Sequence, residues 1–400
     1  MIHSASNDAR APGALPGVRV LADVSDVAAL TRAIERAPRI ALDVEADGMF
    51  AYRARICTVQ IAAAGAVSVV DALAAPLTPL ARILSADGPV KVIHDVAFDA
   101  RMLAEAGLPL GNVHDTSIAA RLLGRTATGL AKLALAELGV HVDKGLQHHD
   151  WRERPLEPSH LEYLARDVMH LEALAEALWR EVQAREIEAE VLEETRYRIA
   201  SAAAGAAEPE RTTAYAGAKG FDRLAADERA VLRRLWAARE QVAEALDVPA
   251  ARLVATEALV AMARSRPRTL EALAKTRLSR EKLDAVARPF LDAVAQGIAD
   301  REIPPEERAA IDTPRPPREV LVRRRARDSA LSAWRKSEAK RRSVDEQVVL
   351  PGHCLKALAE AEDSALGTIQ ACPGFGACRA RYVEPIASVL RGAQEPSTGT

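Results

Sequence analysis

The apolar and polar positions between residues 39 and 94 alternate with a short period. Ile40, Leu42 and Val44 alternate with Ala41, Asp43 and Glu45. Period two predicts a strand with one apolar face and one face ending in acids. Ile56–Ala62 (ICTVQIA) and the run 67–72 (VSVVDA) predict two further strands, and the AAGA between them predicts a hairpin. Pro79 to Ser85 reads as a helix, Val90 to His94 as a fourth strand, and Asp99 opens another helix. From Thr116 onward the spacing is helical almost throughout. Early strands followed by helices predict an α/β domain over roughly the first 180 residues.

Composition then breaks twice. Residues 1–17 are rich in Ala, Ser, Pro and Gly and are expected to be disordered, as is the tail QEPSTGT. Ser201 to Gly220 is small, polar and aperiodic, and reads as a linker. Leu224 to Ala299 reads as all-helical. Ile303 to Pro317 carries five prolines and reads as a second linker, with more helix beyond it to about Arg391. The two helical segments look like copies: LWAARE with LVATEALVAMA in the first, AWRKSE with VVLPGHCLKALA in the second. Trp236 and Trp334 then fall at equivalent positions of a repeated module.

Length and composition narrow the class. A chain of 400 residues suggests two or three domains. Lys plus Arg total 54 against 56 Asp plus Glu, so overall charge announces no nucleic-acid partner. Four cysteines exclude a disulfide scaffold and suit a reducing compartment. No window approaches the roughly 18 apolar residues of a membrane span, and the first residues lack the apolar run of a signal peptide. A cytoplasmic protein without membrane partners is expected.

Three acidic motifs carry the candidate chemistry. Asp43 and Glu45 lie two apart on a strand and point the same way. Their mutual repulsion needs a proton or a cation to offset it. Asp99 falls at or just inside a helix start, and Tyr163 and Asp167, four apart, share a helix face. Each motif has an ordinary reading: a solvated strand edge, an acid favoured by the helix dipole, a tyrosine at the core edge. Together they supply four carboxylates and a phenol, a set suited to two divalent ions that activate water and stabilise a leaving oxygen at about 3.5–4 Å separation. Mg²⁺ suits oxygen ligands of this kind.

The order D-x-E, H-x4-D, Y-x3-D resembles the DEDD 3′→5′ exonucleases of the tyrosine subgroup. The stretch LGVHVDKGLQHHDWRERPL, leading into HLEYLARDVMHLEAL, is similar to ribonuclease D, and Trp236, Arg239, Val248-Pro249 and Pro267 resemble the helical module that RecQ helicases share with ribonuclease D, the HRDC domain. The resemblance implies an α/β ribonuclease-H-like exonuclease domain over 18–205, followed by two all-α domains. These are an HRDC-type domain over 221–300 and an HRDC-like one over 326–392, joined by a basic linker over 301–325. It implies that Asp43, Glu45, Asp99 and Asp167 hold two divalent metal ions, Mg²⁺ or Mn²⁺. Tyr163 would orient the attacking water or help deprotonate it. Asp95 is the alternative to Asp99; the Phe98-Asp99 pair followed by Leu103 favours Asp99. The implied reaction releases 5′-mononucleotides from an RNA 3′ end, in tRNA precursors, by a monomeric enzyme.

Outside the acids, Lys144, Gln147 and Arg154 could reach substrate phosphate or could fix the loop beside Trp151. His148-His149 reads as a polar loop, and Cys354, Cys372 and Cys378 lack zinc-site spacing. Residues 315–342 hold eleven Arg or Lys against three acids, a net +8. This block is either a solvated helix face or a phosphate-attracting surface. Only 14 of 400 residues are Phe, Trp or Tyr, which argues against extensive base stacking.

Overall fold

The computed structural model describes residues 18–142, 145–206, 211–276, 278–312 and 316–393. Two compact units emerge. The first comprises the described residues of Met1–Ala46, Ile56–Ala207 and Pro316–Thr400; the second comprises Asp47–Arg55 and those of Glu208–Arg315. The expected disordered end segments, 1–17 and 394–400, lie outside the described residues.

The first unit is built on β1 (Val18–Leu21), β2 (Arg39–Ala46), β3 (Ile56–Ala63), β4 (Ala66–Asp71), β5 (Val90–Ile93) and β6 (Val113–Asp115), in the order β1-β4-β3-β2-β5-β6. The β3–β4 hairpin forms as expected. Ala64 and Gly65 both take positive φ (49° and 79°), the turn that matches strand twist. β2 runs antiparallel to β3 and parallel to β5. The expected one-sided β2 is instead apolar on both faces. Ile40, Ala41 and Leu42 are fully buried, because β2 is an inner strand with helices packed on it. Two strands have no counterpart in the sequence reading, β1 and the three-residue β6, which is too short to show a period.

The helices of this unit are α1 (Val24–Ile34), α2 (Ala81–Leu84), α3 (Ala97–Glu105), α4 (Thr116–Leu122), α5 (Leu130–Leu138), α6 (Pro158–Met169), α7 (Leu171–Ala184) and α8 (Glu188–Ala206). Ser201 to Gly220 is therefore no simple linker. Its first residues extend α8, where alanines favour helix. Arg211–Gly217 then forms a 3₁₀ helix that buries Tyr215.

In the second unit, α9 (Ala226–Ala245), α10 (Ala250–Leu253), α11 (Thr256–Ser265), α12 (Leu270–Ala274) and α13 (Arg280–Asp300) enclose an apolar core. α9 and α13 cross closely at Gly297, where a Cβ would come within 2.5 Å of Val231 Cα. The proline-rich stretch after Ile303 also folds. Pro305 starts α14 (Pro305–Ile311), a position where its missing N–H costs nothing. Glu307 of α14 accepts from the Tyr215 hydroxyl at 2.8 Å and pairs with Arg233 at 2.6 Å.

The last segment comprises α15 (Arg318–Arg342), α16 (Glu346–Val349), α17 (Gly352–Glu360), α18 (Leu366–Gln370) and α19 (Val383–Gly392). It packs against α8 within the first unit: His353 stacks on Tyr197 at 3.6 Å, and Arg381 reaches the buried Glu190. The expected boundary between linker and module at 325/326 falls inside the unbroken helix α15.

The repeat is real in the order of elements, but its register differs from the sequence reading. α10, α11 and α12 start at 250, 256 and 270; α16, α17 and α18 start at 346, 352 and 366, a constant offset of 96 residues. That offset equates Pro289 with Pro385 and Arg239 with Arg335. Each arginine donates to the carbonyl 15 residues later: Arg239 to Val254 O at 3.3 Å and Arg335 to Leu350 O at 3.1 Å. The two tryptophans are two positions out of register with one another, so they are not equivalent.

Candidate active site

β2 delivers Asp43 and Glu45, opposite Gln60 and Thr58 of β3, with a bulge after Glu45 that ends the regular ladder. α6 delivers Tyr163 and Asp167. Pro158 starts this helix, and Leu161, Leu164, Ala165 and Val168 bury its inner face. α3 delivers Asp99 as its third residue. Asp43, Glu45 and Asp167 each present a carboxylate oxygen, and the three oxygens lie within 4.8 Å of one another. Asp99 is 3% exposed and feels the charges of Asp43 and Glu45. Its Oδ1 is buried without a hydrogen-bond partner.

Crowding acids together disfavours their charged forms. Burial pushes Asp43 up to about 6. Glu45 is pushed up to about 9, first by burial and then by the charges of Asp43 and Asp167. Asp99 is raised well above the carboxylate range, chiefly by burial and then by Asp43. The Tyr163 phenol also moves up, from burial and from Asp167, Glu45 and Asp43, and it is hydrogen-bonded to Asp167. Trp151 is buried against this group, its ring 5.7 Å from that of Tyr163. Its N–H has no partner of good geometry yet lies near enough to Glu45 to favour the charged carboxylate. Three hard oxygen donors within 4.8 Å, with the buried and orphaned Asp99 oxygen outside that group but in the field of Asp43 and Glu45, fit divalent cations such as Mg²⁺ or Mn²⁺.

The remaining sequence candidates separate. Asp95 is exposed at the turn before α3, whereas Asp99 faces Asp43. Arg154 is committed to the fold. It pairs with Asp71 at 2.7 Å through both Nε and Nη2, and donates to the carbonyls of Cys57, Trp151 and Glu153. It therefore fixes the loop rather than offering donors to substrate. Gln147 is exposed, and Lys144 lies outside the described residues. His149 packs between Trp151 and His160.

The basic block divides as well. Arg327 is fully buried and donates to the carbonyls of Ala361 and Asp363; Arg335 and Arg342 are also engaged. Arg318, Arg323, Arg325, Lys336, Lys340 and Arg341 are exposed, and Arg315 lies outside the described residues. All four cysteines are free thiols. No helix among the described residues is long and apolar enough to cross a membrane. Sequence reasoning missed the place of Trp151 behind Glu45 and the buried Asp115 of β6. The D-T pair ending the strand VHD, an acid immediately before a helix, was the available signal.

Residues 18–183 match the 3′-5′ exonuclease family model, and residues 228–294 match the HRDC domain. The chain is 28% identical over 320 residues to ribonuclease D of Granulibacter bethesdensis, covering 75% of this chain and 77% of that one. It is 27% identical over 285 residues to ribonuclease D of Haemophilus influenzae, covering 70% and 71%. The fold is similar to that of Escherichia coli RNase D, an exoribonuclease involved in structured RNA processing. That match has a TM-score of 0.69 and 21% identity, over 94% of this chain and 99% of the other. A protein from Bifidobacterium adolescentis shares the fold at TM-score 0.72 and 20% identity, over 94% and 97%. Fold, acidic pocket and both domain matches agree: the chain carries a 3′-5′ exonuclease domain and an HRDC domain, and it is a phosphodiester hydrolase similar to ribonuclease D.

Proposed function

We propose that this protein shortens RNA from its 3′ end, releasing 5′-mononucleotides, and that Asp43, Glu45, Asp99 and Asp167 hold two divalent cations, Mg²⁺ or Mn²⁺. The convergence of Asp43, Glu45 and Asp167 within 4.8 Å carries this reading, and the orphaned Asp99 oxygen beside them supports it. When bound, the cation pair supplies a hydroxide-like nucleophile at neutral pH and neutralises the charge that develops on the leaving oxygen. The acids supply position and negative charge. Burial and the neighbouring carboxylates of Asp167, Glu45 and Asp43 hold the Tyr163 phenol above its ordinary value in the metal-free protein. Beside the acids, Tyr163 orients the attacking water or helps to deprotonate it.

The substrate is RNA with a free 3′ end, with tRNA precursors as the natural class, and the enzyme acts as a cytoplasmic monomer. The free cysteines suit that reducing compartment. The exposed arginines and lysines of α15 provide sequence-independent attraction for phosphate.

Digestion of matched RNA and DNA oligonucleotides, labelled at either end, tests the reading. With Mg²⁺ or Mn²⁺, a 3′ label should leave at once as mononucleotide, and a 5′ label should shorten stepwise. Asp43→Asn should lower the rate by about a thousandfold or more while leaving RNA binding intact. Full activity in that variant would contradict the site, and preferential digestion of DNA would move the substrate to the other nucleic acid. Metal-independent RNA binding without cleavage would make the protein a scaffold.

A further inference from the structure

Asp115 is the last residue of β6 and is fully buried. A buried carboxylate is costly unless its oxygens are well hydrogen-bonded. Here four backbone N–H groups donate to it. Ser117 and Ile118, at the start of α4, donate to Oδ1 at 2.8 and 2.9 Å. Asp95 donates to the same oxygen at 3.3 Å, and Val96 donates to Oδ2 at 2.8 Å. The first pair is an ordinary helix cap, which a serine would serve as well. The second pair is different, because it reaches the turn from which α3 starts.

That turn is unusual. Asp95 takes a φ of +63°, a conformation that side chains other than glycine seldom adopt. Val96 follows as the N-cap of α3, with no side-chain cap of its own, and Asp99 comes three residues later in the first turn. Asp99 Oδ1 makes no hydrogen bond, and its carboxylate feels the repulsive field of Asp43. Its place thus depends on the backbone that carries it. First turns of helices fray unless their N–H groups are held.

We propose that Asp115 is a positioning residue for the cation pocket: by gripping the N–H groups of Asp95 and Val96 it pins the first turn of α3, and so holds Asp99 against Asp43. This rests on the two-cation reading above, and the test separates the two. Mn²⁺ binding to the metal-free full-length protein is measured by calorimetry for the parent, Asp115→Ser, Asp115→Asn and Thr116→Val. Asp115→Ser keeps a cap for α4 but is too short to reach Val96. Thr116→Val, equally buried, removes the hydroxyl contacts to Ile93 O and His94 but leaves the grip on α3.

Asp115→Ser should weaken Mn²⁺ binding about tenfold, the lower end for residues that orient metal ligands from behind. Amide exchange should rise at residues 96–100 while α4 stays protected. Asp115→Asn, which keeps one acceptor oxygen, should fall between Asp115→Ser and the parent. Thr116→Val should lower the melting temperature without moving the Mn²⁺ midpoint. A folded Asp115→Ser that binds Mn²⁺ within twofold of the parent overturns the proposal, as does equal weakening by Thr116→Val. A parent protein that binds no Mn²⁺ sinks the two-cation reading itself.

Discussion

The two helical segments share one skeleton and fill it differently. In the first, Val231 sits fully buried in an apolar core, and Leu283 packs at its edge. At the corresponding positions, 96 residues on, the second has Arg327 and Arg379, both fully buried. Arg379 donates to the carbonyls of Val348, Gly374 and Phe375 at 3.0–3.2 Å. Where the first module closes its core with hydrocarbon, the second uses guanidinium groups to satisfy loop carbonyls. The final helix differs too: α13 runs unbroken through Pro289, while in the second module the corresponding stretch begins as a 3₁₀ segment, Ala377–Tyr382, before α19. A shared fold thus tolerates replacing hydrocarbon by guanidinium groups hydrogen-bonded to nearby carbonyls, even though Arg327 Nε and Arg379 Nη2 stay buried without a partner.

The contrast can be broken by mutation. The largest effect is expected from Arg379→Leu, which imports the first module's residue type. It strands three loop carbonyls and should destabilise the second module by about 3 kcal/mol or more in urea denaturation. A neutral outcome would mean that those carbonyls have water. Next come Arg239→Ala and Arg335→Ala, which test the register. Each removes a charge-assisted bond to the carbonyl 15 residues on, and each should cost about 1.5–3 kcal/mol. Arg239 should cost more because its side chain is 4% exposed against 15%. If only one of the pair matters, the equivalence fails.

The smallest effect concerns pH and falls on the unit that contains the acids. Asp43 and Glu45 are raised to about 6 and about 9, so the folded state holds protons that the unfolded chain releases near pH 4. In metal-free protein their contribution is fully present below about pH 4 and fades as pH rises toward 9. Mn²⁺ should therefore raise the melting temperature more at pH 8.5 than at pH 6. Any separate transition of the HRDC unit should stay where it is. Equal gains at both pH values would contradict the protonation argument.

Much of the site was legible because its signals were local. Asp43 and Glu45 stood out through period two, and Tyr163 and Asp167 through helical spacing over a buried face. Asp99 needed the family resemblance, since a helix-start acid is common and its approach to Asp43 is a tertiary fact. Composition located the boundaries between the two units, at 207/208 and 315/316, but not the structure around them: alanines after Ser201 lengthen α8, and Pro304, Pro305 and Pro317 mark helix starts. The two tryptophans suggested a register that spacing does not support. Trp236 lies under the Arg239 guanidinium at 4.1 Å, whereas Trp334 meets Tyr382 edge-on. Nothing in a run of arginines distinguishes the buried Arg327 from its exposed neighbours, because the distinction lies in the carbonyls of Ala361 and Asp363.

The central claim is that four acids from β2, α3 and α6 form one cation pocket. Counting Mn²⁺ ions bound per chain at pH 8, in the parent and in Asp43→Asn and Asp99→Asn, tests it most directly. Two ions in the parent and a loss in each variant are predicted. A parent that binds none, or variants that bind as the parent does, would contradict it.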